Sequence, residues 1–204
     1  MSKDTVIVIK STNYSEADKI LTVFGKYRGK FTVIAKGIRK ITSRNRGNMQ
    51  TLSISKISFY EGKGLPILTE SEQIYAPEFA NRFDFKNIER ILYMLNKFLV
   101  EGEENRIIFN LSHELLKGEL NLLRVNKFRI RILKELGFLG DFKSCSLCDS
   151  QDRLDYLDLK HFVIVCHNCY SSLDKGVKLN KDIYETSVFT ESLDRYITRI
   201  VEEI

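Results

Sequence analysis

The sequence predicts an α+β, multidomain protein: a five-stranded β-barrel at the N-terminus, then an α-helical domain into which a four-cysteine metal module is inserted. Three observations lead there. The first 75 residues hold short β-branched runs parted by glycine turns. From Asp84 onward, apolar residues recur at helical spacing. All four cysteines fall in two pairs late in the chain. A length of 204 residues accommodates one large domain or two small ones. The expected division is 1–78 for the barrel and 79–204 for the helical domain, with the cysteine module at about 143–171.

The strands follow from local pattern. Thr5 to Lys10 is a β-branched run, and Lys19 to Phe24 contains Ile20, Leu21, Val23 and Phe24. The segment Gly25-Lys26-Tyr27-Arg28-Gly29 is a glycine-bracketed turn that leads into Phe31 to Ala35. Ser53 to Tyr60 sets Ile54, Ile57 and Phe59 among polar residues, and Glu61-Gly62-Lys63-Gly64 turns the chain back into Ile67 to Tyr75. Five short strands with such turns fit a small antiparallel barrel. The OB-fold, a five-stranded barrel that binds oligonucleotides, fits this pattern as well as other small β-barrels do.

The helices follow from a period of 3.6. Ile88, Ile91, Leu92, Leu95, Phe98 and Leu99 share one face, and Gly102 ends that segment. A second helix is expected from Asn105 to about Leu116. A third covers Val125 to Leu136, with Val125, Phe128, Ile132, Leu133 and Leu136 inward and Arg124, Lys127, Arg131 and Lys134 outward. Gly137 is its stop. In the last helix Leu193, Tyr196, Ile197, Ile200, Val201 and Ile204 form the stripe, and Thr190 is the expected N-cap.

The cysteines read Cys145-Ser146-Leu147-Cys148 and Cys166-His167-Asn168-Cys169. Two residues between thiols let both reach one metal from a tight turn, and two such turns complete a tetrahedron. Tyr156, Leu157, Leu159, Phe162, Ile164 and Val165 lie between the pairs and predict a hairpin that joins them. One Zn2+ on Cys145, Cys148, Cys166 and Cys169 is therefore expected. Four protein ligands leave no position for water, so the ion is structural. A redox dithiol needs only one C-x-x-C. His167 inside the second pair is a rival ligand, which four thiolates make unnecessary.

Catalytic patterns fail. A nucleobase deaminase needs H-x-E and P-C-x-x-C, but Ser144 and Val165 precede the two pairs. His113-Glu114 begins like a zinc-protease motif, yet Lys117 stands where its second histidine belongs. No enzyme activity is expected. The run Val6-Ile7-Val8-Ile9 is short and follows an acidic residue, unlike a secretion signal. A cytoplasmic location is expected, where thiols stay reduced.

The formal net charge of +5 is uneven. From Lys19 to Tyr60 there is no Asp or Glu, against ten Lys and Arg, while the remainder of the chain carries −5. Such a one-sided field recruits polyanions. Lys36, Arg39, Lys40, Arg44 and Arg46 follow the third strand and suit successive phosphates, with Thr42 and Ser43 as hydroxyl donors. Arg28 and Lys30, on the preceding turn and strand, are expected DNA contacts with them. Tyr27 is a candidate for base stacking, whereas Phe31 reads as barrel core.

These blocks resemble a known family, the bacterial recombination mediator and DNA-repair family RecO. Tyr14-Ser15-Glu16-Ala17-Asp18 is similar to its early (G/S)-E-x-D block. Gly29-Lys30, then Ala35-Lys36-Gly37-Ile38-Arg39-Lys40 and Ser43-Arg44, are similar to its G-K…A-x-G-x-R…S-R block. Phe128 to Phe138, followed by Cys145 and Cys148, resembles its helix leading into the zinc pair. The resemblance implies an N-terminal OB-fold and a helical domain carrying a zinc finger. It also implies binding to single- and double-stranded DNA, strand annealing, and partnership with RecR, single-strand-binding protein and RecA. The chain is short for the family, and Thr51 stands near where many members have proline. The competing expectation is a zinc-stabilised protein-interaction adaptor with no direct role on DNA.

Overall fold

Alternation of apolar and polar side chains builds the first half, as period two demands. In the computed structural model of the chain, β1 (Ser2–Asn13), β2 (Lys19–Gly25), β3 (Gly29–Ala35), β4 (Ile54–Tyr60) and β5 (Ile67–Tyr75) close into a barrel. The strand order is β1-β2-β3-β5-β4, with β4 returning to β1. Every pairing is antiparallel except β3 with β5, where Ile34 meets Ile67 in parallel and shuts the barrel. This five-stranded closure is the OB-fold arrangement. The structure describes residues 1–77, 82–140, 142–173, 176–180 and 182–204. The boundary expected at 78/79 lies outside these residues. The described chain forms two compact units, Met1–Asn121 and Leu122–Ile204.

Val6, Val8, Leu21, Val23, Phe31, Val33, Ile57, Phe59 and Leu68 fill the barrel. Ile38 and Met49, from the β3–β4 connection, join the same core. That connection carries a single helical turn, α1 (Asn45–Asn48). Its end is anchored by hydroxyls: Ser53 and Ser55 donate to the Asn48 carbonyl at 3.0 and 2.5 Å, and the Asn48 amide donates to the Ser71 carbonyl at 2.7 Å. The alternate residues Ile7, Ile9 and Phe24 face outward yet are also buried. They are covered by α2 (Arg82–Phe98) and α3 (Arg106–Leu116), with Phe24 edge-on to Phe109 at 5.6 Å between centroids. Asn105 caps α3 by accepting from the Ile108 N–H at 2.9 Å.

In the second unit, α4 (Leu122–Glu135) buries Val125, Phe128, Ile132 and Leu133. It also buries Arg129, which falls outside the expected outward face. The guanidinium pairs with Asp194 and donates to Asn126 Oδ1 at 3.1 Å. The hairpin expected between the cysteine pairs appears as β6 (Tyr156–Asp158) and β7 (Val163–Val165), and β8 (Gly176–Lys178) pairs with the other edge of β6. Short 3-10 turns cover His167–Ser172 and Ile183–Glu185. The last helix, α5 (Ser187–Glu203), starts earlier than the sequence suggests. Thr186, not Thr190, is its N-cap, because the Thr186 hydroxyl accepts from the Phe189 N–H at 3.2 Å. Thr190 lies one turn inside, buried, where it accepts from Asn126 Nδ2 at 2.8 Å. Among the described residues, no helix is long and apolar enough to cross a membrane.

Candidate metal centre and basic loop

Two tight turns and one hairpin assemble the cysteines. The Cys145 N–H donates to the Ser150 carbonyl at 2.8 Å, and the Asp149 N–H closes back on the Cys145 carbonyl at 2.9 Å, with Asp149 at φ 57°. The Cys169 N–H does the same to Cys166 at 3.2 Å. Ser146 donates its N–H to the Ile164 carbonyl at 2.9 Å, which ties the first turn to β7. The four Sγ atoms consequently lie within 4.8 Å of one another, with Cys148 and Cys166 at 3.7 Å. A sulfur tetrahedron with arms of ~2.3 Å has edges of about 3.8 Å. The cluster therefore has the size of a metal site, and its all-thiol donor set suits zinc.

The thiols are unequal. Burial raises Cys145, but the N–H groups of Cys166, Leu147 and Cys148 outweigh it and bring that thiol down to about 6. Hydrogen bonding with the Cys148 and Cys166 thiols pushes Cys169 up to about 12. Thiols this close cannot all carry charge alone, and a divalent cation among them removes that conflict. His167 stands apart: its Nδ1 lies 3.4 Å from the Tyr156 hydroxyl, and the cluster consists of the four cysteines.

The basic residues divide into two groups. Lys36, Arg39, Lys40, Arg44 and Arg46 are exposed on the β3–β4 connection. The loop is braced at its base. Gly37, at φ 65°, donates its N–H to Asp18 Oδ1 at 2.7 Å. The Arg39 N–H donates to the Ala17 carbonyl at 3.0 Å, and its guanidinium donates to the Ser15 carbonyl at 2.8 Å. Successive turns from Lys40 to Gly37 (3.1 Å), Ser43 to Lys40 (3.0 Å) and Arg46 to Ser43 (3.3 Å) then fix the path. This is the pairing of the early acidic block with the glycine-arginine block.

Arg28 and Lys30 sit elsewhere. Arg28 is ion-paired with Glu61, and its guanidinium lies 5.2 and 5.3 Å from the ring centres of Phe31 and Phe59. Lys30 donates to the Asn96 carbonyl at 3.0 Å, and burial pushes its ammonium down. Tyr27 is 54% exposed, between Lys26 at 5.3 Å and Arg106 at 5.0 Å. It shares with Arg44 a groove of about 650 Å³ that also borders Lys3, Lys56, Glu70 and Glu72.

Asp4 organises the turn that presents Tyr27 and Arg28, and nothing in the sequence reading singled it out. Its carboxylate accepts the N–H groups of Thr5 at 2.7 Å, Tyr27 at 3.2 Å and Arg28 at 3.1 Å. Burial pushes this carboxyl up, against the pull of those donors. An acid just before the apolar run Val6 to Ile9 of β1 was the available signal.

Comparison with known proteins bears on both halves. The family described as recombination protein O N terminal matches residues 1–77, and recombination protein O C terminal matches residues 90–186. The DNA repair protein RecO of Syntrophomonas wolfei is 29% identical, over 99% of this chain and 82% of its own. That of Moorella thermoacetica is 34% identical, over 71% of this chain and 56% of its own. The RecO of Desulforamulus reducens is 30% identical over 88% of this chain and 73% of its own. Because the two matched regions follow each other in the order of the barrel and the cysteine-bearing half, the chain belongs to the RecO family.

Proposed function

We propose that this chain is a non-catalytic DNA-repair protein that binds single- and double-stranded DNA, anneals complementary strands and helps load recombinase onto protein-coated single strands. The observation that carries the reading is the braced loop: Lys36, Arg39, Lys40, Arg44 and Arg46 stand exposed together on an OB-fold barrel in a RecO chain. Two strands repel through their phosphates, and one cationic surface that neutralises both lowers that barrier. Tyr27 supplies a flat face at the groove beside Arg44. The barrel, residues 1–78, is the nucleic-acid-binding domain of this reading. Arg28 and Lys30 lie on the barrel itself, where Glu61 pairs with the first and the Asn96 carbonyl holds the partly buried ammonium of the second, so the main phosphate load of this reading falls on the loop.

Cys145, Cys148, Cys166 and Cys169 hold one zinc ion, whose contribution is to fold the module from residue 143 to 171. RecR, single-strand-binding protein and RecA are the partners of this reading, and the cytoplasmic nucleoid is its place of action. The test is annealing of two labelled complementary oligonucleotides. The wild-type protein should speed duplex formation, and the Arg39→Ala/Lys40→Ala double variant should not. Annealing at the spontaneous rate with wild-type protein would sink the proposal.

A further inference from the structure

We propose that Tyr14 and Ile41 form an apolar tip that holds unpaired nucleobases, while the cations around it hold the phosphates. The inference rests on the nucleic-acid reading above and adds a base-contacting element to it.

Ile41 is 91% exposed, the most exposed large apolar side chain among the described residues, and Tyr14 is 62% exposed. A lone exposed apolar residue needs no explanation, but the two loops that carry these residues are tied to each other. Tyr14 opens the β1–β2 connection, and Ile41 lies on the β3–β4 connection. Those two loops are joined by the three hydrogen bonds from Gly37 and Arg39 to Asp18, Ala17 and Ser15, at 2.7, 3.0 and 2.8 Å. The Tyr14 N–H is itself held by the Asp18 carbonyl at 3.1 Å. Three residues before Ile41, Ile38 is 3% exposed and packs into the barrel core. One isoleucine therefore anchors the turn while the next is pushed into solvent.

The surroundings choose the occupant. Lys36, Arg39, Lys40, Arg44 and Arg46 flank Ile41 in sequence, and all are exposed. An apolar pocket on a protein would have to accept that density of positive charge. A nucleic-acid strand offers both chemistries at the right spacing: phosphates for the cations, and flat, weakly hydrated base faces for the tip. Aromatic side chains stack on bases without regard to sequence, and aliphatic wedges such as Ile separate neighbouring bases. Bracing of the two loops means that little freedom is lost on binding. Phosphate contacts alone would not distinguish a strand with bases from one without them; the tip adds to the Tyr27 face in doing so.

The full chain should be titrated with a labelled oligothymidylate and with an abasic oligomer of equal length and charge. Wild-type protein should prefer the strand with bases by about tenfold. Tyr14→Ala and Ile41→Ser should each lose a measurable share of that preference, the remainder belonging to the Tyr27 face. Their affinity for the abasic strand, and the salt dependence of binding, should stay as in wild type. Lys40→Ala should weaken both strands alike. Equal melting midpoints for wild type and the two tip variants exclude a folding defect, as both side chains are exposed. If both variants keep the wild-type preference, or wild type shows none while still binding in a salt-dependent way, the tip inference falls and the nucleic-acid reading stands. If wild type binds neither strand, both fall. Capture of a protein through Ile41 with no base preference would also overturn the inference.

Discussion

Salt titration of oligonucleotide binding tests the division of the basic residues into two groups. Counting cations over the acid-free stretch gives ten Lys and Arg. On the proposed reading the phosphate-facing set is the five exposed cations of the β3–β4 connection, Lys36, Arg39, Lys40, Arg44 and Arg46. The other five lie on the barrel strands and turns, where Arg28 is paired with Glu61 and Lys30 donates to the Asn96 carbonyl, while Arg39 keeps N–H donors beyond the one given to Ser15. Each neutralised phosphate adds about 0.7 to the slope of log K against log salt on a single strand, and about 0.9 on duplex. Five contacts therefore give slopes of roughly −3.5 and −4.5. Raising salt from about 50 to 200 mM should weaken single-strand binding about 100-fold and duplex binding about 500-fold. The Arg39→Ala/Lys40→Ala protein should show a slope near −2 and a loss of only about 20-fold over the same interval. Lys30→Ala should leave the slope unchanged and cost roughly 1 kcal/mol of stability instead, through its lost hydrogen bond to α2. Fluorescence anisotropy of labelled oligonucleotides reads all of these. A slope near zero, or a Lys30→Ala slope that falls as far as the double variant's, would refute the assignment.

Three further outcomes are expected. Cys166→Ser should abolish metal binding, measured as bound zinc per chain, and should open the segment between the cysteine pairs to proteolysis, since structural zinc contributes roughly 10–16 kcal/mol in small fingers. Gly29→Ala should destabilise the barrel by roughly 2–3 kcal/mol, because Gly29 has φ +69° and a Cβ there would stand 2.0 Å from the Glu103 carbonyl oxygen. Thermal denaturation should show the midpoint falling by on the order of 5 °C. Asp4→Ala should leave the Tyr27 and Arg28 N–H groups without their acceptor, at a cost of about 2–3 kcal/mol. Amide exchange at those two residues should quicken, and protection there as strong as in wild type would show that the turn holds without Asp4.

What the sequence made legible is local, and what it hid depends on distant partners. The strands appeared because alternation in segments such as Phe31 to Ala35 needs only neighbours to be read, and the structure buries every second residue there. The cysteine cluster was legible for the same reason, since two residues between thiols is a short-range constraint. Lys30 looked no different from Lys36 by composition. Its partner, the Asn96 carbonyl, lies 66 residues away. Arg129 likewise is a cation buried on α4, where Asp194, 65 residues later, pairs with it. The start of α5 failed on a subtler point. Thr186 and Thr190 lie one turn apart, and either could cap by residue type. Asn126 claims the Thr190 hydroxyl, which leaves Thr186 to cap. Ile41 escaped notice because a sequence pattern reports apolar residues, not whether a braced loop turns them outward.

The metal and the basic loop meet different physical needs. β6, β7 and β8 have three residues each. The apolar cluster at the cysteines is Cys145, Val165 and Cys166, with Leu154, Cys169 and Leu173 against it, while Leu157, Phe162 and Ile164 are buried apart from it, Phe162 against Phe189 and Tyr196 of α5. Strands so short do little by themselves to offset the chain entropy of ordering the two cysteine turns, so a metal held by the four thiols would fix those turns. The barrel needs no such staple. It is closed, its twelve-residue core runs from Val6 to Leu68, and Ile38 and Met49 of that core come from the connection that bears the cations. The geometry of the basic loop is thus set by apolar packing inside the first unit. Removing the metal should unfold the module while leaving the salt slope of DNA binding near −3.5. A slope that changed along with the metal would mean that phosphates also contact the second unit.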